Sequence, residues 1–378
     1  MPQGAREGRR VPPVCDLTTA GRSRKVWPHM LRSLCRPFRR WQPLSVLLPL
    51  FWTACLPDPD IRVPDFRPTG LVDLATSTAD LGPLPDAKRV RWLPDVSAPT
   101  SQTLRGITSD LSGQVFVVGH GGVILRRTAT GWVQEPALDG AKPVTTNLYG
   151  VVSSGSDWYA VGEAGVVLRR ATDKWQQEAK DLAIPFSLFA VVSTTSGDLY
   201  AVGDVGTVLR KPMGGVWARD SVNPALANAN FRALAVGQLD ELFVVGQGGI
   251  IARRSGGMWT VDSTPLDVGD RGNFHSVIVT RESVFAAGDY DRVLRRDVDK
   301  WRRESTVPVS GPDGHLLAVT AVGADLVVVG ANGLIQRRNG TTKAWTLEDS
   351  GTTATLSAVG STPSLRAVGA LGTIVVQQ

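Results

Sequence analysis

Cysteine is almost missing from this chain: of 378 residues three are Cys, at positions 15, 35 and 55. From Leu56 onward there can be no disulfide, no thiol nucleophile and no thiolate metal ligand. Histidine is nearly as scarce. His120, His275 and His315 are the three beyond residue 55; they fall in different repeats without ligand spacing and are expected as loop or lining residues. No HExxH, CxxC, phosphate loop or nucleophile elbow occurs, so neither a metal nor another cofactor is expected. No apolar run approaches the ~20 residues that a membrane-spanning helix needs. No stretch carries a 3.6-residue period, which excludes a helical solenoid.

A basic body is also missing, although the formal charge is +6. Ten of the 41 Lys+Arg and two of the 35 Asp+Glu lie in the first 55 residues, leaving 31 basic and 33 acidic residues beyond. The nucleic-acid partner that a basic pI would suggest is therefore not expected. Arg36, Arg39 and Arg40 precede an apolar stretch at 44–54, the build of a secretion signal. Trp52, Thr53, Ala54 and Cys55 resemble a bacterial lipobox, with Trp52 where Leu is usual. The resemblance implies lipidation of Cys55 and attachment to the cell envelope. Leu56, rather than Asp, after that cysteine favours the outer membrane. Residues 1–54 are thus expected as a signal peptide, of ordinary length if translation starts at Met30. Residues 55–87 carry six prolines and no periodicity, and are expected as an extended tether averaging roughly 30 Å end to end.

What is there is a repeat. Segments 104–107, 115–119, 122–127 and 132–135 make one unit, and the glycine closing its second segment recurs at 119, 162, 203, 246, 288, 330 and 369, about every 42 residues. Four short β-prone runs per unit, parted by Gly, Asp, Asn and Ser, predict a blade of a β-propeller. Trp132, Trp175, Trp217, Trp259, Trp301 and Trp345 open the fourth strand of six blades. The seventh unit stops after three strands, and Trp92 stands alone 40 residues before Trp132. The sequence therefore predicts an all-β, seven-bladed propeller over 88–378, in which the Trp92 strand completes the last blade and removes an open sheet edge. The glycine after each second strand is expected to hold a positive-φ turn. The small residues Gly106, Gly150, Ala190, Ala233, Ser276, Ala318 and Ala358 mark crowding near the axis.

Two patterns nominate site residues. Six third strands end in a basic pair, and the third residue after each of the seven tryptophans is acidic: Asp95, Glu135, Glu178, Asp220, Asp262, Glu304 and Glu348. Strand alternation puts Arg126 on the face of Glu135, which predicts ion pairs within each blade. It leaves Arg127, Arg170, Lys211, Arg254, Arg296 and Arg338 as a candidate binding surface, with Arg91 as the substitute partner of Asp95. The second residue of each inner strand gives a candidate channel mouth: Arg105, Tyr149, Phe189, Arg232, His275 and Leu317. The turn after the second strand carries His120, Glu163, Asp204, Gln247 and Asp289, whose acids are expected as solvated turn residues. The longer inter-blade loops, 138–147, 181–187, 223–230 and 264–273, are expected on one face, as binding loops.

The motif Val-Gly-x-x-Gly-x-(Val/Ile)-(Leu/Ala)-Arg-Arg followed by Trp resembles the propellers of the photosystem II stability/assembly factor family and related sialidase-type repeats. The resemblance covers 88–378 and implies an assembly or interaction factor with arginines on its surface. The Asp-box turn of sialidases is degraded, reading Thr128, Ala129, Thr130, Gly131, Trp132 in the first blade, and their arginine triad and acid pair cannot be mapped. The expected function is a non-catalytic, envelope-attached lipoprotein, monomeric, that binds protein or glycan. A carbohydrate-active hydrolase or lyase is the alternative, and it requires a carboxylate or His cluster at the channel. A structural envelope component is the second alternative.

Overall fold

The structure, a computed structural model, describes residues 90–266, 272–308, 314–361 and 363–378. The readings of the signal peptide, Cys55 and the tether lie outside them. Seven sheets follow one another along the chain, each built on four antiparallel strands. Blade 1 runs from the inner strand Leu104–Ser109 through Val115–Gly119 and Ile124–Arg127 to the outer strand Trp132–Gln134. The other inner strands are Leu148–Ser154, Leu188–Ser193, Phe231–Val236, Phe274–Val279, Leu316–Val322 and Leu356–Gly360. Each touches the next, and the last touches the first, so they ring one axis. The ring closes as the sequence predicts: Trp92–Pro94 pairs antiparallel with Ile374–Gln377, with Trp92 opposite Gln377 and Pro94 opposite Val375.

The core lies between blades. Every residue of a second strand such as Val115–Gly119 or Leu242–Gly246 is buried, because neighbouring blades cover both of its faces. That is why these strands read as continuous apolar runs instead of alternating. Phe116 of blade 1 packs with Trp158 and Trp175 of blade 2. Each such aromatic or aliphatic side chain contributes about 1.5–3 kcal/mol by leaving water.

The repeated glycine has a different cause from the expected one. Gly119 is extended, with φ −164; a Cβ there would stand 2.4 Å from the Thr103 carbonyl oxygen, and at Gly203 1.9 Å from that of Ser187. The position needs glycine for close backbone approach, and the positive φ falls two and three residues later, at Gly121 and Gly122. The small third residue of the inner strand is steric, as predicted: a Cβ on Gly106 would meet the Tyr149 carbonyl oxygen of the next blade at 2.8 Å.

In all seven blades the pairing of inner and second strand skips one residue. Leu104 faces Gly119 while Gly106 faces Val118, leaving Arg105 without a partner, and the same skip recurs at the equivalent position of every other blade. A β-bulge re-aims the extra side chain and ends its part in the ladder. The seven bulge residues are Arg105, Tyr149, Phe189, Arg232, His275, Leu317 and Ser357. Part of the loop 138–147 departs from the expected binding-loop role: Ala137–Asp139 and Lys142–Pro143 form a hairpin on the outer edge of blade 2.

Candidate functional site at the channel mouth

The six basic residues nominated as a binding surface are not free. Each side chain is 3–22% exposed and reaches the acid of the preceding blade. Arg170 stands 2.8 Å from Glu135, Lys211 3.2 Å from Glu178, Arg254 3.1 Å from Asp220, Arg296 3.4 Å from Asp262, Arg338 2.9 Å from Glu304, and Arg127 3.6 Å from Asp95. Five of them also lie over an aromatic ring of that blade: Arg170 on Phe116, Lys211 on Tyr159, Arg254 on Tyr200, Arg296 on Phe243 and Arg338 on Phe285, at 5.1–5.5 Å. Their positive charge is used between blades, so they are staples and not a surface for a partner.

The intra-blade pairs hold where expected in five blades, as Arg126 with Glu135, Arg169 with Glu178, Arg253 with Asp262 (the loosest, at 3.9 Å), Arg295 with Glu304 and Arg337 with Glu348. Arg210 turns instead to Asp198. Trp175, Trp217, Trp301 and Trp92 donate their indole N–H to the acid of the blade before. Asp95 is served by Arg366 at 2.8 Å, from the second strand of blade 7, and not by Arg91.

The bulge residues do come together. The Arg105 Nε donates to His120 Nε2 at 3.0 Å, and the His120 ring meets Tyr149 edge-on at 6.4 Å. Tyr149 stacks on Phe189 at 5.0 Å, and the Arg232 guanidinium lies 3.9 Å from the Phe189 ring centre while pairing with Asp204 at 2.8 Å. Four consecutive blades thus present one cationic and aromatic arc, largely half-buried. Burial and the adjacent Arg105 charge hold the His120 imidazole below its usual pKa, so it stays neutral and accepts the Arg105 hydrogen bond. Leu317, Ser357, Ala331 and Ala370 make the opposite arc small and weakly polar.

The histidines, expected as separate lining residues, meet at blades 5 and 6. His275 Nε2 and His315 Nδ1 both lie on Asp289 Oδ1, at 2.7 and 2.8 Å. The other Asp289 oxygen accepts from the Asn273 backbone N–H and Nδ2, each at 2.9 Å. Asp289 is 7% exposed, which corrects the picture of a solvated turn acid. Two donors on one oxygen leave no vacant point between three ligands, and among the described residues no group of His, Cys, Asp or Glu could hold a metal ion.

Burial pushes the Asp289 carboxyl up, yet the bonds from Asn273, His275 and His315 outweigh it and hold the group below the ordinary carboxylate value. The unfolded chain therefore binds the proton first as pH falls. The stabilisation is complete above the unfolded value of ~3.9 and is lost as pH falls through the lower folded value. Urea midpoints measured from pH 6 to 2 should show Asp289→Asn least stable relative to the parent at the top of that range, with the gap narrowing below pH ~4; a gap independent of pH would contradict this.

On the opposite face, grooves of about 610 Å3 between blades 5 and 6 and about 430 Å3 between blades 2 and 3 repeat one feature. They are walled by the staples Arg338 on Phe285 and Lys211 on Tyr159.

No protein-family model matches the chain, and no curated protein matches its sequence. Solved structures share its fold. Virginiamycin B lyase from Staphylococcus aureus superposes with TM-score 0.63 at 14% identity, covering 77% of this chain and 99% of that one. YCF48 bound to D1 peptide gives TM-score 0.61 at 15% identity, covering 78% and 96%. The WD40 propeller domain of Doa1 gives 0.62 at 9%, covering 76% and 97%.

Proposed function

We propose that the propeller is a non-catalytic binding module whose mouth face takes a segment of another protein, and that Cys55 ties it to the envelope. The observation that carries this reading is the Arg105–His120–Tyr149–Phe189–Arg232 arc. Tyr and Arg are the side chains that dominate protein interfaces, and here a run of rings is flanked by a guanidinium group at each end, on a surface preformed by bulges. YCF48, which shares the fold, is bound to a peptide. The domain is a monomer in this reading, and the outer membrane is its address.

Selection of a displayed peptide library on the propeller, followed by competition with the mouth variants Tyr149→Ala and Phe189→Ala, tests the first part. Selected peptides should bind about ten-fold more weakly to either variant, the effect of removing one hot spot; a glycan array that binds where peptides fail would replace protein by glycan. For the anchor, mass spectrometry should find a lipidated Cys55 as the first residue, and Cys55→Ser should release the protein from membranes. A soluble parent protein would refute it.

The His275–Asp289–His315 cluster favours a second reading, a hydrolase or lyase. His275 and His315 each turn one ring nitrogen to Asp289, which leaves His275 Nδ1 and His315 Nε2 facing away from it, the arrangement of carboxylate-oriented imidazoles. Virginiamycin B lyase shows that the fold accommodates such chemistry. A turnover of any ester or glycan abolished by His315→Ala would establish this reading over the first.

A further inference from the structure

The turn from second to third strand places two consecutive residues in the left-handed region in every blade, the first of them Gly121, Ala164, Val205, Gly248, Tyr290, Asn332 or Leu371, with φ 52 to 66. Gly and Asn suit that conformation; a β-branched or bulky residue there is strained and needs a reason. Val205 and Leu371 do not find it inside the chain, since they are 41% and 78% exposed, and Tyr290, whose ring touches His315 and Arg292, still leaves 62% of itself to solvent. They stand on blades 3, 5 and 7, at the same end of the disc as the bulge residues. Strain kept at an exposed apolar side chain marks a contact made with something else.

Charge says what that something carries. Nearly every arginine of the inter-blade network meets a carboxylate, yet Arg105 donates to a neutral imidazole and has no carboxylate partner among the described residues. The Leu371 turn is tied to the segment that leads into the Arg105 strand, because Gly372 N–H donates to the Gln102 carbonyl at 3.0 Å.

We infer that the mouth binds an extended protein segment in which a carboxylate is flanked by apolar side chains, the carboxylate on Arg105 and the apolar groups on Leu371, Tyr290 and Val205. This rests on the reading of the mouth as a binding face. The probe is a displayed library of random linear peptides selected on the whole propeller, and the consensus peptide made synthetically. The consensus should hold an acidic residue beside apolar ones, and its Kd should rise about ten-fold with Arg105→Gln and with Leu371→Asn or Tyr290→Asn. The two Asn variants should melt no lower than the parent, because Asn accommodates the left-handed turn; a merely structural role for these side chains would lower their melting temperature instead. A consensus without acid, or a Kd indifferent to Arg105→Gln and Leu371→Asn, overturns the inference. If Tyr149→Ala or Phe189→Ala still weakens binding in that case, the mouth reading survives. Peptides indifferent to all mouth changes, or a selection that enriches nothing, defeat both.

Discussion

Trp92→Ala should cost about 3–5 kcal/mol, the range for deleting a large buried aromatic. Trp92 is 2% exposed and packs with Val327, Val329 and Ile335 of blade 6 and with Leu356, Leu365, Ala367 and Val375 of blade 7. Its indole N–H donates to Glu348 of blade 6 at 2.7 Å, so the substitution opens a cavity and strips one donor from a carboxylate only 7% exposed. Trp92→Phe keeps most of the ring volume and should cost roughly 1.5–3 kcal/mol, the value of a hydrogen bond to a charged group. Removing the chain through Pro94 should do more, because it exposes the ladder edge of Ile374–Gln377. That edge invites pairing with a second chain, so light scattering should report oligomers. Urea unfolding of Trp92→Ala within about 1 kcal/mol of the parent would deny the closure its weight.

Glu135→Ala should destabilise by about 3 kcal/mol, towards the lower end expected for breaking a buried pair because both partners keep some exposure. Glu135 accepts from Arg126 at 2.5 Å, from Arg170 at 2.8 and 3.2 Å, and from the Trp175 indole at 3.0 Å. Its loss leaves Arg170, 13% exposed over Phe116, without its buried counter-charge. Asp173 also touches Arg170 but is 91% exposed, and Asp173→Ala should change stability by less than about 1 kcal/mol. The pair Glu135→Ala with Arg170→Met should recover part of the loss, since it no longer buries a lone charge. Equal effects from Glu135 and Asp173 in urea would remove the distinction drawn between the staple and the solvated pair.

Blade number, tryptophan register and closure were legible in the sequence because each blade is a local unit of about 42 residues and its punctuation repeats. The direction of the second basic residue was half legible. Alternation tells which face Arg170 occupies but not that Glu135 of another blade lies there. A signal for it did exist: Phe116, Tyr159, Tyr200, Phe243 and Phe285 are aromatic where the next blade supplies Arg or Lys, whereas Val327 precedes the blade that offers Gln377. The bulge left no comparable trace, since one extra residue in a short strand looks like a strand one residue longer. The His275–Asp289–His315 contact was hidden for a third reason. Asp289 and His315 lie 26 positions apart in different blades, and only the ring brings the end of one blade's turn against the start of the next.

The bulge at the top of each inner strand separates two duties that most β-proteins impose on the same residue. Side chains at 105, 149, 189, 232, 275, 317 and 357 take no part in strand pairing, while their neighbours at Leu104 and Gly106 carry the register. The disc is in effect a housing with seven interchangeable pins: in the binding reading proposed above, its specificity is rewritten one pin at a time, by evolution or at the bench, while the housing stays as it was.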